Sequence, residues 1–571
     1  MHLYEETKIK IFKAHHVRGI YPTDYRIIYN NIAELLEYRA HAHPDEVFIT
    51  FYTEAGEKIR LTFKEFTDRV YQTANLLTQN GIGIEDRVAA ISHNHINTVI
   101  QYFAAWCIGA TVVPINVNEE PDRIKYILES SHTKLAFVNS DYTEKMMEIF
   151  NELKIEKIIE YGRTNAEGSV LAGILNFEEE ISKYKPEFKP DENVNRETEA
   201  LIVYTSGTTG LPKGVVLTQY NLMIDADGIS KWHKIEHGQT MMCVLPIHHV
   251  NGTIVTLVTP MFCGAKVILN QKFRTNNFFQ RITDENVQIV SVVPTLLQFL
   301  CHDYEGKIGE MPQLQNFRHI ICGAGPLTCE LAMKFEAMFG LRIVHGYGLS
   351  ETTCYSCYIP VDLDQDEHKK WQSEFGFPSI GIEIEPNEMD IQNDKGDSLP
   401  EGERGEIVIR GHNVMKYYDS NPDANAKTFE FGWFRSGDEG FYRNDEQGRK
   451  YFFITGRLKE LIIRGGVNIA PLEIDEVIMS ISEVKAGISV GFDNDWYGEE
   501  VGALILLKEN IPASDEVKNN IIKKCREHLP FYKSPKVIVF SDSIPVTSTG
   551  KYQRNKVKHL FTDHKATQFK Q

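Results

Sequence analysis

The sequence predicts a multi-layer α/β protein, with a β-rich, barrel-like portion near 390–455 and a small α+β unit at its end. Three observations carry this. Short apolar runs alternate with helical patterns through much of the first 450 residues, as strands and their covering helices do in largely parallel sheets. Near 390 the runs shorten and sit among Gly, Asp and Asn turns. Past about 460, helix and strand patterns alternate again on a smaller scale. A chain of 571 residues is too long for one core, so two or more domains are expected.

In order along the chain, 63–80 and 98–108 read as helices. Arg87-Val88-Ala89-Ala90-Ile91-Ser92, Leu135-Ala136-Phe137-Val138 and Ile289-Val290-Ser291-Val292-Val293 read as buried strands. So do 200–204, 215–217, 241–245 and 341–344. Glu406-Ile407-Val408-Ile409-Arg410 and Lys450-Tyr451-Phe452-Phe453-Ile454 are the short strands of the β-rich portion. In the last unit, Pro471 sits where a first helical turn accepts proline. Ile474, Val477, Ile478 and Ile481 then recur at i, i+3, i+4 and i+7. A strand at 501–507, a helix at 515–528 and a strand at 537–540 follow. The expected division is 1–456, a hinge at 457–460, and 461–571.

Composition is ordinary for a soluble globular protein, with 42% hydrophobic and 25% charged residues. The net charge of -18 argues against a nucleic-acid partner, which wants a basic face, but leaves room for a local phosphate pocket. Nine scattered cysteines fit a reducing cytoplasm better than a disulfide framework. Cys354 and Cys357 form a lone CxxC and read as incidental. No secretory signal and no membrane-spanning run is expected.

The most informative stretch is Tyr204-Thr205-Ser206-Gly207-Thr208-Thr209-Gly210-Leu211-Pro212-Lys213-Gly214, between two apolar runs. Glycines let backbone N–H groups approach an anion closely, hydroxyls add donors, and Lys213 adds charge. Only Thr208 and Thr209 separate Gly207 from Gly210, which is not Walker A spacing. This is therefore a phosphate loop of another kind.

Further polar segments lie between apolar flanks. Pro246-Ile247-His248-His249-Val250-Asn251-Gly252 places two histidines and an amide after a strand, where a hydrogen-bonded pair would be the ordinary reading. His345-Gly346-Tyr347-Gly348-Leu349-Ser350-Glu351-Thr352-Thr353 supplies an aromatic face, close-approach glycines, and a carboxylate suited to Mg²⁺. Asp438, after Trp433-Phe434-Arg435-Ser436-Gly437, sits in an expected glycine turn and could accept both hydroxyls of a ribose. Gly456-Arg457-Leu458-Lys459-Glu460, with Arg464-Gly465-Gly466 after it, reads as a polar linker; Thr547-Ser548-Thr549-Gly550-Lys551 reads as a polar loop.

Together with Cys322-Gly323-Ala324-Gly325, these segments resemble, in order, the motifs of the adenylate-forming (AMP-binding) superfamily of acyl- and aryl-CoA ligases, peptide adenylation domains and beetle luciferases. The resemblance covers roughly 200–551. It implies a large N-terminal domain of two α/β subdomains and a β-barrel-like one, with a small mobile C-terminal domain on a hinge. It also implies two steps: a carboxylate and MgATP give acyl-AMP and pyrophosphate, then CoA gives a thioester and AMP.

By the same resemblance, Thr205, Ser206, Gly207, Thr208, Thr209, Gly210 and Lys213 would hold the β- and γ-phosphates. Glu351 would bind Mg²⁺, with Thr352 near the α-phosphate. Tyr347 and Gly323, Ala324 and Gly325 would flank adenine and the acyl chain. Asp438 would take the ribose hydroxyls beside Arg457. His249 would stand near the substrate carboxylate, and Lys551 would bridge carboxylate and α-phosphate. Lys459 matches the hinge, and Gly465 and Gly466 would line the pantetheine tunnel in a second conformation. Thr549 and Ser436 replace a common Ser and Thr conservatively.

Within the superfamily, the run Arg464-Gly465-Gly466-Val467-Asn468-Ile469-Ala470-Pro471 resembles CoA ligases, and the chain ends 20 residues after Lys551. An amino-acid-activating enzyme would want an acid after Gly252, where Thr253-Ile254-Val255 stands. Loading onto a separate carrier protein stays open, as does homodimer formation. A non-catalytic nucleotide-binding regulator is disfavoured by Glu351 and Lys551, and an oxygenase of luciferase type is not distinguished by motif. His248, His249, Asn251, Thr295 and Cys354 are candidate acyl-pocket residues, and their polarity favours a short, hydroxylated or aryl acid.

Overall fold

The computed structural model describes residues 3–20, 24, 27–155, 157–163, 173–205, 211–546 and 552–570. Among these, the strands form four sheets.

The first sheet orders Tyr417–Tyr418, Lys213–Thr218, Glu199–Thr205, Thr111–Ile115, Arg87–Ile91, Leu135–Asn139, Lys157–Tyr161 and Leu175–Asn176. From Glu199–Thr205 to Leu175–Asn176 its neighbours are parallel. Parallel strands are covered on both faces, which is why Leu135–Asn139 and Thr111–Ile115 are buried along their whole length. Glu199–Thr205 and Lys213–Thr218 instead pair antiparallel, with Thr205 opposite Lys213.

The second sheet has nine strands: Ile382–Glu383, Cys357–Tyr358, Ile343–Tyr347, His319–Cys322, Ile289–Val292, Thr240–Cys243, Lys266–Asn270, Val47–Tyr52 and Lys58–Thr62. The six from Ile343–Tyr347 to Val47–Tyr52 are parallel. Helix Ile96–Cys107 is buried at every position, as a helix apolar on all sides must be. It bridges the two sheets: Trp106 Nε1 donates to the Ala200 carbonyl at 2.7 Å, and Tyr102 Oη to the Ile247 carbonyl at 3.4 Å.

The β-rich portion is an antiparallel sheet of Asn387–Gln392, Gly405–Gly411, Phe434–Asn444 and Lys450–Arg457. Asp438 was expected in a turn. It lies instead inside the strand Phe434–Asn444, directly opposite Arg457, with a register shift just after it and Gly437 at φ 75°. Bulges of this kind re-aim a side chain without ending the strand.

The last sheet combines Ile462–Arg464, Val467–Ile469, Val484–Asn494, Gly498–Leu507 and Val537–Phe540. Helices Pro471–Met479 and Asp515–His528 cover it. Ile474, Ile478, Ile505, Ile521 and Cys525 share a core of their own there. Ile481 lies past the helix end yet is buried in the same core. Glu476 reaches out of this unit: its carboxylate accepts the Cys329 N–H, at 3.2 and 3.3 Å, in the first turn of helix Cys329–Phe339. Among the described residues, no helix is long and apolar enough to cross a membrane.

Candidate active site

The carboxyl ends of parallel strands all face one edge of a sheet, and open α/β sheets place their sites outside that edge. Here Thr240–Cys243 runs toward Pro246 and His249, His319–Cys322 into Gly323 to Gly325, and Ile343–Tyr347 into Gly348 to Thr353. Three segments read separately from the sequence thus collect at one edge because their strands belong to one parallel run, with Ile289–Val292 between Thr240–Cys243 and His319–Cys322.

The backbone here is tight. A Cβ on Gly323 would stand 2.5 Å from the Tyr355 hydroxyl and 2.7 Å from the Gly346 carbonyl oxygen. Ala324 and Thr353 hold φ of 60° and 61°, a left-handed conformation costly for an alanine and more so for a β-branched residue. The Thr353 hydroxyl donates to the Asn413 carbonyl at 2.6 Å, which helps hold that turn. After His249, residues Asn251–Val258 form a wholly buried π-helical segment, a rare form that is frequent at functional sites.

Two polar clusters flank this edge. In the first, the Tyr347 hydroxyl donates to Asp438 Oδ2 at 2.6 Å, and Arg457 Nε stands 3.2 Å from Asp438 Oδ1. Asp438 is 1% exposed, and no hydrogen bond reaches its Oδ1. Its contact with Arg457 is an ion pair without a hydrogen bond, so this buried oxygen keeps acceptor capacity suited to a ligand hydroxyl. Asp438 also holds the Arg457 guanidinium charged, raising its pKa, while burial and then Asp438 push the Tyr347 phenol well above its ordinary value.

In the second cluster, the Tyr418 hydroxyl donates to Glu351 Oε1 at 2.8 Å, and the Lys213 ammonium lies 4.5 Å from the centre of the Tyr418 ring. Burial lowers the Lys213 pKa; Glu351 opposes this, and Lys459 and Lys427 add to it. An ammonium crowded by two other cations in a half-buried site gains from an arriving polyanion. Lys459 therefore belongs to the electrostatics of this cluster. Glu351 offers a single carboxylate and joins no three-ligand cluster among the described residues. That fits Mg²⁺, which keeps several waters and binds through one or two carboxylates plus phosphates.

The other expected residues fall as follows. The Thr352 hydroxyl accepts the Leu349 N–H at 3.1 Å and so closes its own turn. The His249 ring lies tilted at 54° to that of His248, ring centres 4.3 Å apart. Burial lowers the His248 pKa to about 4, so it is neutral, and its Nε2 has no hydrogen-bond partner. Gly465 and Gly466 lie exposed in the turn between Ile462–Arg464 and Val467–Ile469; Arg464 beside them pairs with Glu500 at 2.8 Å. Cys354 and Cys357 are buried free thiols. Ser206, Gly207, Thr208, Thr209, Gly210 and Lys551 lie outside the described residues.

Sequence reasoning missed Tyr418 and Tyr355. Tyr418 sits in a two-residue strand that pairs with Val215, a contact no local pattern announces. Tyr355 lies in the interval between Cys354 and Cys357, and only its nearness to the glycine-rich turn marked it.

The family model for AMP-binding enzymes matches residues 36–419, and that for the AMP-binding enzyme C-terminal domain matches 473–551. The chain is 30% identical to the sulfoacetate–CoA ligase of Cupriavidus necator, over 93% of this chain and 98% of that protein. It is 29% identical to the oxalate–CoA ligase of Arabidopsis thaliana, over 94% and 99%. Among solved structures, it is similar to the anthranilate CoA ligase AuaEII in complex with anthranoyl-AMP, with TM-score 0.82, 22% identity, and 95% and 99% of the two chains covered. ATP-bound MatB from Rhodopseudomonas palustris gives TM-score 0.81 at 24% identity, over 94% and 99%. Those likenesses show the fold: a large N-terminal α/β domain with a small C-terminal domain. With both family models matched along its length, the chain belongs to the AMP-binding enzyme family of adenylate-forming enzymes, in the acyl-CoA ligase branch.

Proposed function

We propose that the two polar clusters at the carboxyl edge of the nine-stranded sheet hold the two ends of ATP while a carboxylic acid is activated between them. The protein is an AMP-forming acid–CoA ligase. In the first half-reaction a carboxylate oxygen bonds to the α-phosphorus and the bond to pyrophosphate breaks. In the second, the sulfur of CoA bonds to the acyl carbon and AMP leaves.

The observation that carries this reading is the pair of clusters with complementary chemistry. Asp438, with a buried open acceptor, suits ribose hydroxyls, and Tyr347 and Gly323 to Gly325 offer flat, close surfaces for adenine. Lys213, with the adjoining loop that begins at Thr205, suits the β- and γ-phosphates. Glu351 would hold the Mg²⁺ that arrives with them, and that ion would supply neutralising charge to the phosphates. Thr352 and His249 would stand near the reacting carboxylate and the α-phosphate. Lys551 would bridge carboxylate and α-phosphate during the first step, then leave with the C-terminal domain so that CoA can enter past Gly465 and Gly466. Displacement at phosphorus needs positioning and charge neutralisation more than covalent catalysis, so a lysine delivered by a moving domain suffices. All nine cysteines are free, which supports a reducing compartment such as the cytoplasm.

Lys551→Ala tests the role of that lysine. The variant is expected to lose acid-dependent ATP–pyrophosphate exchange while still forming thioester from supplied acyl-AMP and CoA. Exchange at the wild-type rate would overturn the assignment.

A further inference from the structure

We propose that Tyr355 is the floor of the acyl end of this site and restricts the protein to short carboxylic acids; the inference rests on the ligase reading above. The Tyr355 hydroxyl stands where Gly323 would carry a side chain, 2.5 Å from that ideal Cβ position. Gly323 belongs to the turn that would carry the acyl chain past adenine. An acid lying along that turn therefore meets a phenol ring within a few carbons of its carboxylate.

The ring is fixed from three sides. It stacks on Tyr358 with centroids 4.5 Å apart and 28° between planes. Its hydroxyl accepts from Asn251 Nδ2 at 3.0 Å, and the Ser291 hydroxyl donates to Asn251 Oδ1 at 2.7 Å. Its own carbonyl accepts from Asn413 Nδ2 at 2.9 Å, and Asn413 is held in turn by Asn387 at 2.6 Å and Asp225 at 2.8 Å. Tyr355 is 2% exposed, Ser291 0% and Asn251 6%. Swinging the ring aside would strand the buried Asn251 amide N–H, so a longer acid does not simply displace it. Behind Asn251 the segment through Val258 is wholly buried, and Ile254, Val255, Leu257 and Val258 belong to the large core.

The asparagine and serine therefore act as positioning residues for Tyr355, and Tyr355 acts on substrate length. Specificity of this kind appears as a change in the kcat/KM profile across acids, not as a uniform loss. A hydrophobic pocket discriminates by roughly tenfold or more for each methylene it cannot fit.

The test is AMP release with CoA over acetate, butyrate, hexanoate, decanoate and palmitate, for wild type, Tyr355→Ala and Tyr355→Phe. Wild type is expected to favour acetate to hexanoate and to lose at least about tenfold in kcat/KM by decanoate. Tyr355→Ala should raise decanoate at least about tenfold relative to butyrate. Tyr355→Phe keeps the ring and the fold; it should move the cutoff no further than hexanoate, which keeps the proposal testable where the alanine variant is too unstable. Wild-type turnover of palmitate equal to that of butyrate would overturn the Tyr355 assignment and leave the ligase reading intact. So would an alanine variant with an unchanged profile. Turnover with no acid in any variant would instead sink the ligase reading, and the Tyr355 assignment with it.

Discussion

Asp438→Asn tests the ribose contact proposed for this site. Asp438 is 2% exposed at its side chain, takes the Tyr347 hydroxyl on Oδ2, and leaves Oδ1 without a hydrogen bond. Asparagine keeps the shape and one acceptor, but removes the charge and places an amide N–H₂ where the second acceptor was. A hydrogen bond to a charged group contributes about 1.5–3 kcal/mol, so weakening one and losing another should cost about 2–3 kcal/mol of ATP binding. That is a rise of about 30- to 150-fold in the KM for ATP. The Arg457 side chain is 42% exposed and can turn to water once its partner is neutral, so the fold should survive. The assay is pyrophosphate exchange against ATP and against 2′,3′-dideoxy-ATP, for both proteins. The variant should bind ATP as weakly as wild type binds the dideoxy nucleotide, with little further loss when both changes are combined. Equal penalties on ATP and dideoxy-ATP would refute the ribose contact, because the substitution would then act without the hydroxyls.

Two further outcomes follow from how the C-terminal unit meets the rest. Lys459 lies in the short helical turn Leu458–Glu460 between strand Lys450–Arg457 and the last sheet. Lys459→Pro fixes φ there and also removes a cation near Lys213, so it should slow thioester formation from supplied acyl-AMP at least about tenfold more than it slows pyrophosphate exchange; equal loss of both would contradict domain alternation. Burial pushes the Glu476 carboxyl up to about 8 where it caps the Cys329 N–H. In the proposed domain alternation the docked state would bind the extra proton, so this contribution to docking would be present at acid pH. It weakens by about tenfold per pH unit as pH rises from the ordinary carboxylate range toward 8. Proteolysis of the 457–460 linker should therefore increase with pH in wild type and lose that dependence in Glu476→Gln; an identical pH profile in both proteins would contradict it.

Local pattern made much of the fold legible. The helix Asp515–His528 and the strand Val537–Phe540 fall where periodicity places them, because each presents one apolar face to a single neighbouring layer. Phe63 begins its helix as expected, after Thr62, which closes a capping box with Glu65. Other features depend on partners distant in sequence. Ile343–Tyr347 begins two residues later than the apolar run, since its start is set by pairing with Ile320. Asp438 reads locally as a turn residue, and only the strand Lys450–Arg457 opposite makes it part of a sheet. The chemistry of Glu351, Asp438 and Lys213 was legible because unusual polar residues interrupt apolar runs. Tyr418 and Tyr355 carry no such mark: an aromatic beside other aromatics or between two cysteines reads as core until its hydroxyl is found on Glu351 or against Gly323.

The central claim is that one site joins an acid to CoA through an adenylate. The direct measurement follows AMP, pyrophosphate and thioester from MgATP over a panel of short carboxylic acids, each with and without CoA. The account predicts acid-dependent pyrophosphate exchange without CoA, and equal amounts of AMP and thioester when CoA is added. Pyrophosphate exchange with no thioester at any CoA concentration would contradict CoA as acceptor, and absence of both would contradict the adenylate itself.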